Sequence, residues 1–362
     1  MVLKERKEEK MNRVFFLMSI WLLNYIIVAQ TPVNDLHWQL KWEDHFITNT
    51  LNDLIWFKAH NCDHIDKPYL HLAKNVWVEN HNLVLEVNTD KASCPMLPYL
   101  PTNYACETCN TGKQYNYTTG WINTTPRYNT QFGYIEAKIK FPFRKGVGHA
   151  FWVFVKDKDG IPPTNSAEID IFETEGWHES NQFGTHIHLV NNGGDPFGQQ
   201  HTFSNYSYAN WNTYAVEWDS ERITWYLNGK SFRTLNHKNV DPAGNGIIDP
   251  VRIIFSIGVH PEKLVPPHST VPFQERMYVD YIKVYSLKYD CTKNVTINNF
   301  ADFANYNYAV KKSITLNGNI TMPSNSNTCL RATDYIELLP GFEVPLGAEL
   351  YLNNTPCDVI KQ

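Results

Sequence analysis

The 362-residue chain carries 32 Lys and Arg against 37 Asp and Glu, a formal net charge of −5, so it lacks the basic field that nucleic-acid binding requires. Its length exceeds what one hydrophobic core usually fills, which predicts one large unit with a small companion. Aromatic residues are abundant, with 11 Trp, 20 Tyr and 19 Phe, and such rings suit both pleated faces and flat ligand platforms.

The N-terminus runs from a charged stretch ending at Arg13, through the apolar segment Val14 to Val28, into Ala29-Gln30-Thr31-Pro32. That is the order of a secretory signal, with Met11 as an alternative start. The apolar segment is shorter than the roughly 20 residues that span a bilayer, and no cysteine follows it to carry a lipid. Residues 1–30 are therefore read as a signal peptide, and the mature chain as secreted or cell-surface, with no stable membrane insertion. All seven cysteines lie beyond this segment, where disulfides are permitted. Cys62, Cys94, Cys106 and Cys109 come early, and Cys291, Cys329 and Cys357 come late. The Cys106/Cys109 pair has no second pair at metal-ligand spacing, so disulfides or thiols are expected rather than zinc.

From Trp38 to about Leu287 short alternating runs are separated by turn residues, the signature of an all-β sandwich. Val76 to Glu79, Leu83 to Val87, Tyr134 to Lys140 and Ile223 to Leu227 are predicted strands, and Asn228-Gly229 a tight hairpin turn. Met277 to Tyr285 is the predicted last strand of a large unit over residues 31–288. No long 3.6-residue period appears, which disfavours βαβ folds. Residues 289–362 are Asn-rich, with apolar runs at Ser313 to Leu316, Tyr335 to Leu338 and Glu349 to Leu352. They are read as a small stacked β-module framed by Cys291 and Cys357, which would close it if they pair.

The chemistry concentrates in Ser166-Ala167-Glu168-Ile169-Asp170-Ile171-Phe172-Glu173-Thr174-Glu175, where acids interrupt an apolar strand. Unpaired charge in such a strand is costly, so the acids need a reason. Side chains two apart share a face, which puts Glu168 and Asp170 together, whereas Glu173 breaks the parity. One bulged residue between Asp170 and Glu173 would return Glu173 to their side and line one cleft with three carboxyls. Crowding raises the pKa of at least one of them, giving the acid and the nucleophile that a retaining glycosidase needs. A solvent-facing acidic stripe and a Ca²⁺ site are the competing readings of the same residues.

At this motif the chain resembles glycoside hydrolase family 16. Flanking stretches agree in order: Leu40 to Phe46, Phe132 to Lys140, Ala150-Phe151-Trp152, Trp211 to Trp218 and Val279 to Tyr285. The resemblance implies a concanavalin A-like β-jelly-roll with a concave cleft. It also implies Glu168 as nucleophile, Asp170 as assisting acid and Glu173 as acid/base. The E-x-D-x-x-E spacing is that of the bulged laminarinase, agarase and carrageenase branch, with lichenase-type activity less favoured. The resemblance further implies a histidine beside Glu173. His186 and His188 share a strand face; His188 is assigned that place and His186 a substrate contact, with His186 beside Glu173 as the alternative. Trp121, Trp152 and Trp177 are candidates for stacking sugar rings, each with core packing as the alternative.

His45, Ala167 and Gly148-His149-Ala150-Phe151-Trp152 depart from the laminarinase pattern. The expected activity is nevertheless endo-hydrolysis of a β-1,3(4)-glucan, with a marine galactan (agarose, porphyran or carrageenan) as the alternative. A sulfated chain would draw on Arg127, Arg144 and Lys145. A non-catalytic carbohydrate-binding jelly-roll is the reading outside enzymes. No cofactor is required for this chemistry, a structural Ca²⁺ on the convex face is left open, and a monomer acting on polysaccharide is expected. The tail, with Leu338-Leu339-Pro340-Gly341-Phe342-Glu343 and Cys357, resembles the small C-terminal modules of secreted Bacteroidetes proteins, and Asn-x-Ser/Thr sites would then go unused.

Overall fold

The computed structural model describes residues 38–354 except 59–67, 94–113, 125–127, 156–166, 190–196, 220–221, 240–243, 245, 268–270, 288, 300–309 and 325. The signal segment, Cys62, Cys94, Cys106, Cys109, Arg127 and Cys357 all lie outside the described residues. Among the described residues there is no α-helix, only strands and two short 3₁₀ turns. None of these elements is a helix long and apolar enough to cross a membrane.

Two sheets, of ten and eight strands among the described residues, stack over one core. The pattern of the chain explains the layering. In Gly133–Lys140, the alternate residues Ile135, Ala137 and Ile139 point inward; in Val251–Val259, Ile253, Phe255 and Ile257 do the same from the other sheet. Trp56, Trp218 and Trp225 are fully buried, and the last two satisfy their indole N–H groups by donating to the carbonyls of Ile247 and Asp170, at 2.8 and 2.9 Å. The predicted turn is present: Asn228 (φ 50°) and Gly229 (φ 75°) both take left-handed backbone, which fits the twist of the hairpin joining Arg222–Leu227 to Lys230–Asn236.

The eight-stranded sheet carries the acid strand Ala167–Thr174. On one side it pairs with Val147–Val155, which in turn pairs with Val251–Val259 and so reaches Trp121–Asn123. On the other side it meets Gln182–Thr185 and Ile187–Leu189. The 14-residue strand Gln274–Leu287 runs through the ten-stranded sheet, longer at both ends than the predicted Met277 to Tyr285.

After it the chain builds a separate four-stranded sheet in which Asp290–Ile297, Lys311–Leu316, Asn327–Leu338 and Glu349–Asn354 pair in parallel, each on the one before. Ile297, Ile314, Leu316, Ile320, Met322 and Leu330 form its own small core. The stacking resembles successive coils of a solenoid. Cys291 is disulfide-bonded, and its partner is not among the described residues; Cys329 is a buried thiol.

This sheet is fastened to the sandwich. Arg331 Nη2 donates to Asp219 Oδ2 at 2.6 Å in a buried ion pair, and the Arg222 guanidinium lies 4.7 Å over the Tyr351 ring. Asp219 also accepts the Arg222 backbone N–H at 2.9 Å, so one carboxylate serves both units. Removing one partner of a buried pair strands the other charge. Asp219→Ala should therefore cost about 3–5 kcal/mol in urea unfolding, whereas Asp219→Leu combined with Arg331→Met should cost much less. A single-variant loss under about 1 kcal/mol would show the fastening to be incidental.

Candidate active site

The acid strand slips register once. Phe151 faces Phe172 and Trp152 faces Asp170, so Ile171 has no partner across the ladder. Ile169, Ile171 and Phe172 all turn into the core, while Glu168, Asp170 and Glu173 all line one open cleft on the outer face, with about 800 Å³ of empty space. From the opposite sheet Trp225 holds the Asp170 carbonyl, which pins the backbone at the slip.

The histidines follow from the antiparallel pairing. Glu168 lies opposite His188 and Glu173 opposite Gly184, so climbing the acid strand means descending the histidine strand. His188 Nε2 stands 3.7 Å from Glu168 and 3.3 Å from Asp170. His186 Nδ1 stands 3.3 Å from Glu173 and 3.6 Å from Asp170. The histidine beside Glu173 is thus His186 rather than the expected His188, because an antiparallel neighbour counts in the reverse direction.

Three carboxyls and two imidazoles in one cleft set each other's charge. Burial, then the neighbouring charges of Asp170 and Glu173, push Glu168 up to about 10. Asp170 goes the other way: burial would raise it, but the adjoining His186 and His188 rings hold it below the usual carboxylate range. Burial would lower His186, but the close carboxylates of Asp170 and Glu173 outweigh it and raise the ring to about 10. At neutral pH the Glu168–Asp170 pair therefore holds one proton, on Glu168, beside an imidazolium at His186. The groups Asp170/His186/His188 and Glu173/Glu175/His186 each bring their ligand-type atoms within 4.8 Å, the spacing of a cation site. The same closeness lets the acids and imidazoles pair as ions.

The rest of the wall is aromatic. Trp121 and Trp152 pack edge to face at 5.4 Å, both largely buried, and Trp152 donates from Nε1 to Ser256 at 3.1 Å. His71 lies against Trp121 at 4.9 Å and Tyr69 against His71 at 5.2 Å, continuing the line of rings. Trp177 is not in the cleft wall. It is 46% exposed at the rim, 5.6 Å from His260, which does line the cleft.

Sequence reasoning missed Tyr69, His71, Ser256, His260 and Glu175. The alternation Ser256-Ile257-Gly258-Val259-His260 was a usable signal, since small or polar groups at every second place of a core strand mark an open face. Tyr69 and His71, on the short strand Tyr69–His71, gave none.

Burial of Glu168 has a measurable cost. Its folded value lies above its unfolded one, so the stability it contributes is complete below about pH 4.5 and is lost as pH rises toward about 10. Glu168→Gln removes this slope. The variant should melt a few degrees above wild type at pH 8, with the gain shrinking to nothing near pH 4.5. Calorimetric scans showing an equal gain at both pH values, or a loss at pH 8, would refute it.

The model of the glycosyl hydrolases family 16 matches residues 68–263. Glucan endo-1,3-beta-glucosidase A1 of Niallia circulans is 28% identical over 275 residues, covering 68% of this chain and 37% of that protein. The chain spans about a third of the length of the first curated relatives it matches. In structure it resembles the catalytic domain of an endo-1,3-beta-glucanase (laminarinase) from Thermotoga petrophila, with a TM-score of 0.56 at 24% identity over 69% of this chain and 98% of that one. A structure described with endo-acting O-glycanases of human gut microbiota that initiate mucin breakdown is similar at TM-score 0.57 and 23% identity, over 70% and 92% of the two chains. These likenesses fix the fold as a jelly-roll sandwich.

Proposed function

The chain belongs to glycosyl hydrolase family 16, and on that premise we propose that it is a secreted, retaining endo-hydrolase of a neutral β-1,3(4)-glucan. The observation that carries the reading is the register slip at Ile171, which gathers Glu168, Asp170 and Glu173 over one cleft. In the reaction Glu168 attacks the anomeric carbon and passes its proton to Asp170, whose histidine partners already favour negative charge there. Glu173 protonates the departing glycosidic oxygen, then takes a proton from the water that opens the glycosyl-enzyme. Both carboxyls must approach to about 5–5.5 Å for this double displacement. No cofactor enters, because carboxyls supply the nucleophile and the proton. Trp177, exposed at the rim, would stack a sugar ring, and the buried pair of Trp121 and Trp152 would back the wall behind the substrate.

A neutral chain is favoured over a sulfated one by charge. The described cleft lining includes no Lys or Arg, Arg144 is held by Glu275, and Lys145 is 2.9 Å from Glu179. A sulfated galactan would bring anions to a groove that already holds several carboxyls. The relatives named for 1,3-beta-glucan activity support the glucan.

Incubation with laminarin, mixed-linkage glucan, agarose and carrageenan should release new reducing ends from the first two only, with the β-anomer formed first by NMR. Glu173→Gln should lower kcat by about 10²–10⁴. An α-anomer as first product would reject the retaining mechanism, and activity confined to galactans would reject the substrate.

A further inference from the structure

We propose that Glu175 is a positioning residue of this cleft, clamping the His186 ring from the side opposite Asp170 and Glu173 and so fixing its charge and orientation between the acids. His186 is only 7% exposed and meets carboxylates through both ring nitrogens: Nδ1 faces Glu173 and Asp170, and Nε2 lies 3.5 Å from Glu175 Oε1. Only the imidazolium donates from both nitrogens; a neutral ring would turn a lone pair on one of its partners. Asp170 and Glu173 act on one edge of the ring. Glu175 supplies the counter-charge on the other.

The turn after the acid strand is built to hold Glu175 there. Its backbone N–H donates to His178 Nδ1 at 3.0 Å, which requires a neutral His178, and burial followed by the His186 charge pushes His178 down to about 4. Gly176 takes φ +76°, and its carbonyl accepts the Gly146 N–H at 2.7 Å. A Cβ at Gly176 would meet Gly146 backbone and the His260 ring at 3.1–3.2 Å, so the turn in this form calls for glycine. Around the ring the other titratable groups are accounted for. His188 lies 5.7 Å away centroid to centroid and is engaged with Glu168 and Asp170. His201, on Gln199–Thr202, is pushed down to about 4 by burial and by the charges of Arg233 and His186.

This inference rests on the hydrolase reading for its effect on turnover, though the clamp itself does not. With Glu175 gone, the ring is free to turn away from Glu173 and Asp170, so transition-state stabilisation suffers while ground-state binding along the tryptophan wall is kept.

The test is an NMR titration of His186 in the full chain labelled with ¹⁵N, its resonances identified by their loss in His186→Gln. In Glu175→Gln the imidazole midpoint should fall by about 1–3 pH units, the effect of losing one opposite charge at this distance. Turnover of the substrate glucan should fall about tenfold or more, with KM within about twofold, and Glu175→Asp should restore part of both. A midpoint in Glu175→Gln within about 0.3 units of wild type overturns the clamp. A shifted midpoint in a protein inactive on every polysaccharide supports the clamp and removes the hydrolase reading, so the two ideas fail separately.

Discussion

The geometry of the cleft hangs on one unpaired residue. A regular strand would send Glu173 to the core side, where a lone carboxylate is costly to bury, and would leave Glu168 and Asp170 without an acid opposite. Ile171 takes up the extra place in the ladder with Phe172 beside it in the core. The hydrophobic packing of two consecutive side chains is thus what returns the third carboxyl to the groove. Trp225, reaching across from the other sheet to the Asp170 carbonyl, ties that local distortion to the packing of the whole sandwich.

Gathering acids in a half-enclosed groove raises an electrostatic problem, and the histidine strand answers it unequally. His186 and His188 both reach Asp170, which stays anionic, while Glu168 keeps the proton. The acid nearest the middle thereby becomes the natural acceptor when its neighbour must give up a proton. The same asymmetry makes the groove an expensive part of the fold, as sites arranged for chemistry commonly are.

The sandwich and its acids were legible in the sequence because both are local signals. Alternation marked the strands, and its failure between Asp170 and Glu173 marked the bulge. What was not legible depends on pairing. Two histidines two residues apart look equivalent in sequence; only the register that sets Glu168 opposite His188 decides which one meets Glu173. His186 itself falls between Gln182–Thr185 and Ile187–Leu189, a break that alternation does not announce. Tyr69 and His71 reach the cleft from a three-residue strand about a hundred positions before the acids, and nothing near them in sequence hints at the company they keep. Trp121 and Trp152 pack on each other as the core alternative foresaw, and they also line the cleft, a combination no local pattern announces.

Asp219 and Arg331 are separated by 112 positions yet share one short hydrogen bond out of water. The small parallel sheet is therefore not a bead on a string. Recombination that exchanged the tail alone for a relative's would bring in a strand lacking the matching arginine and leave an orphan charge in the sandwich hairpin. The unit that can be inherited or grafted intact is the tail together with the Trp218-Asp219 corner, and those two sites should drift in step across descendants of this gene.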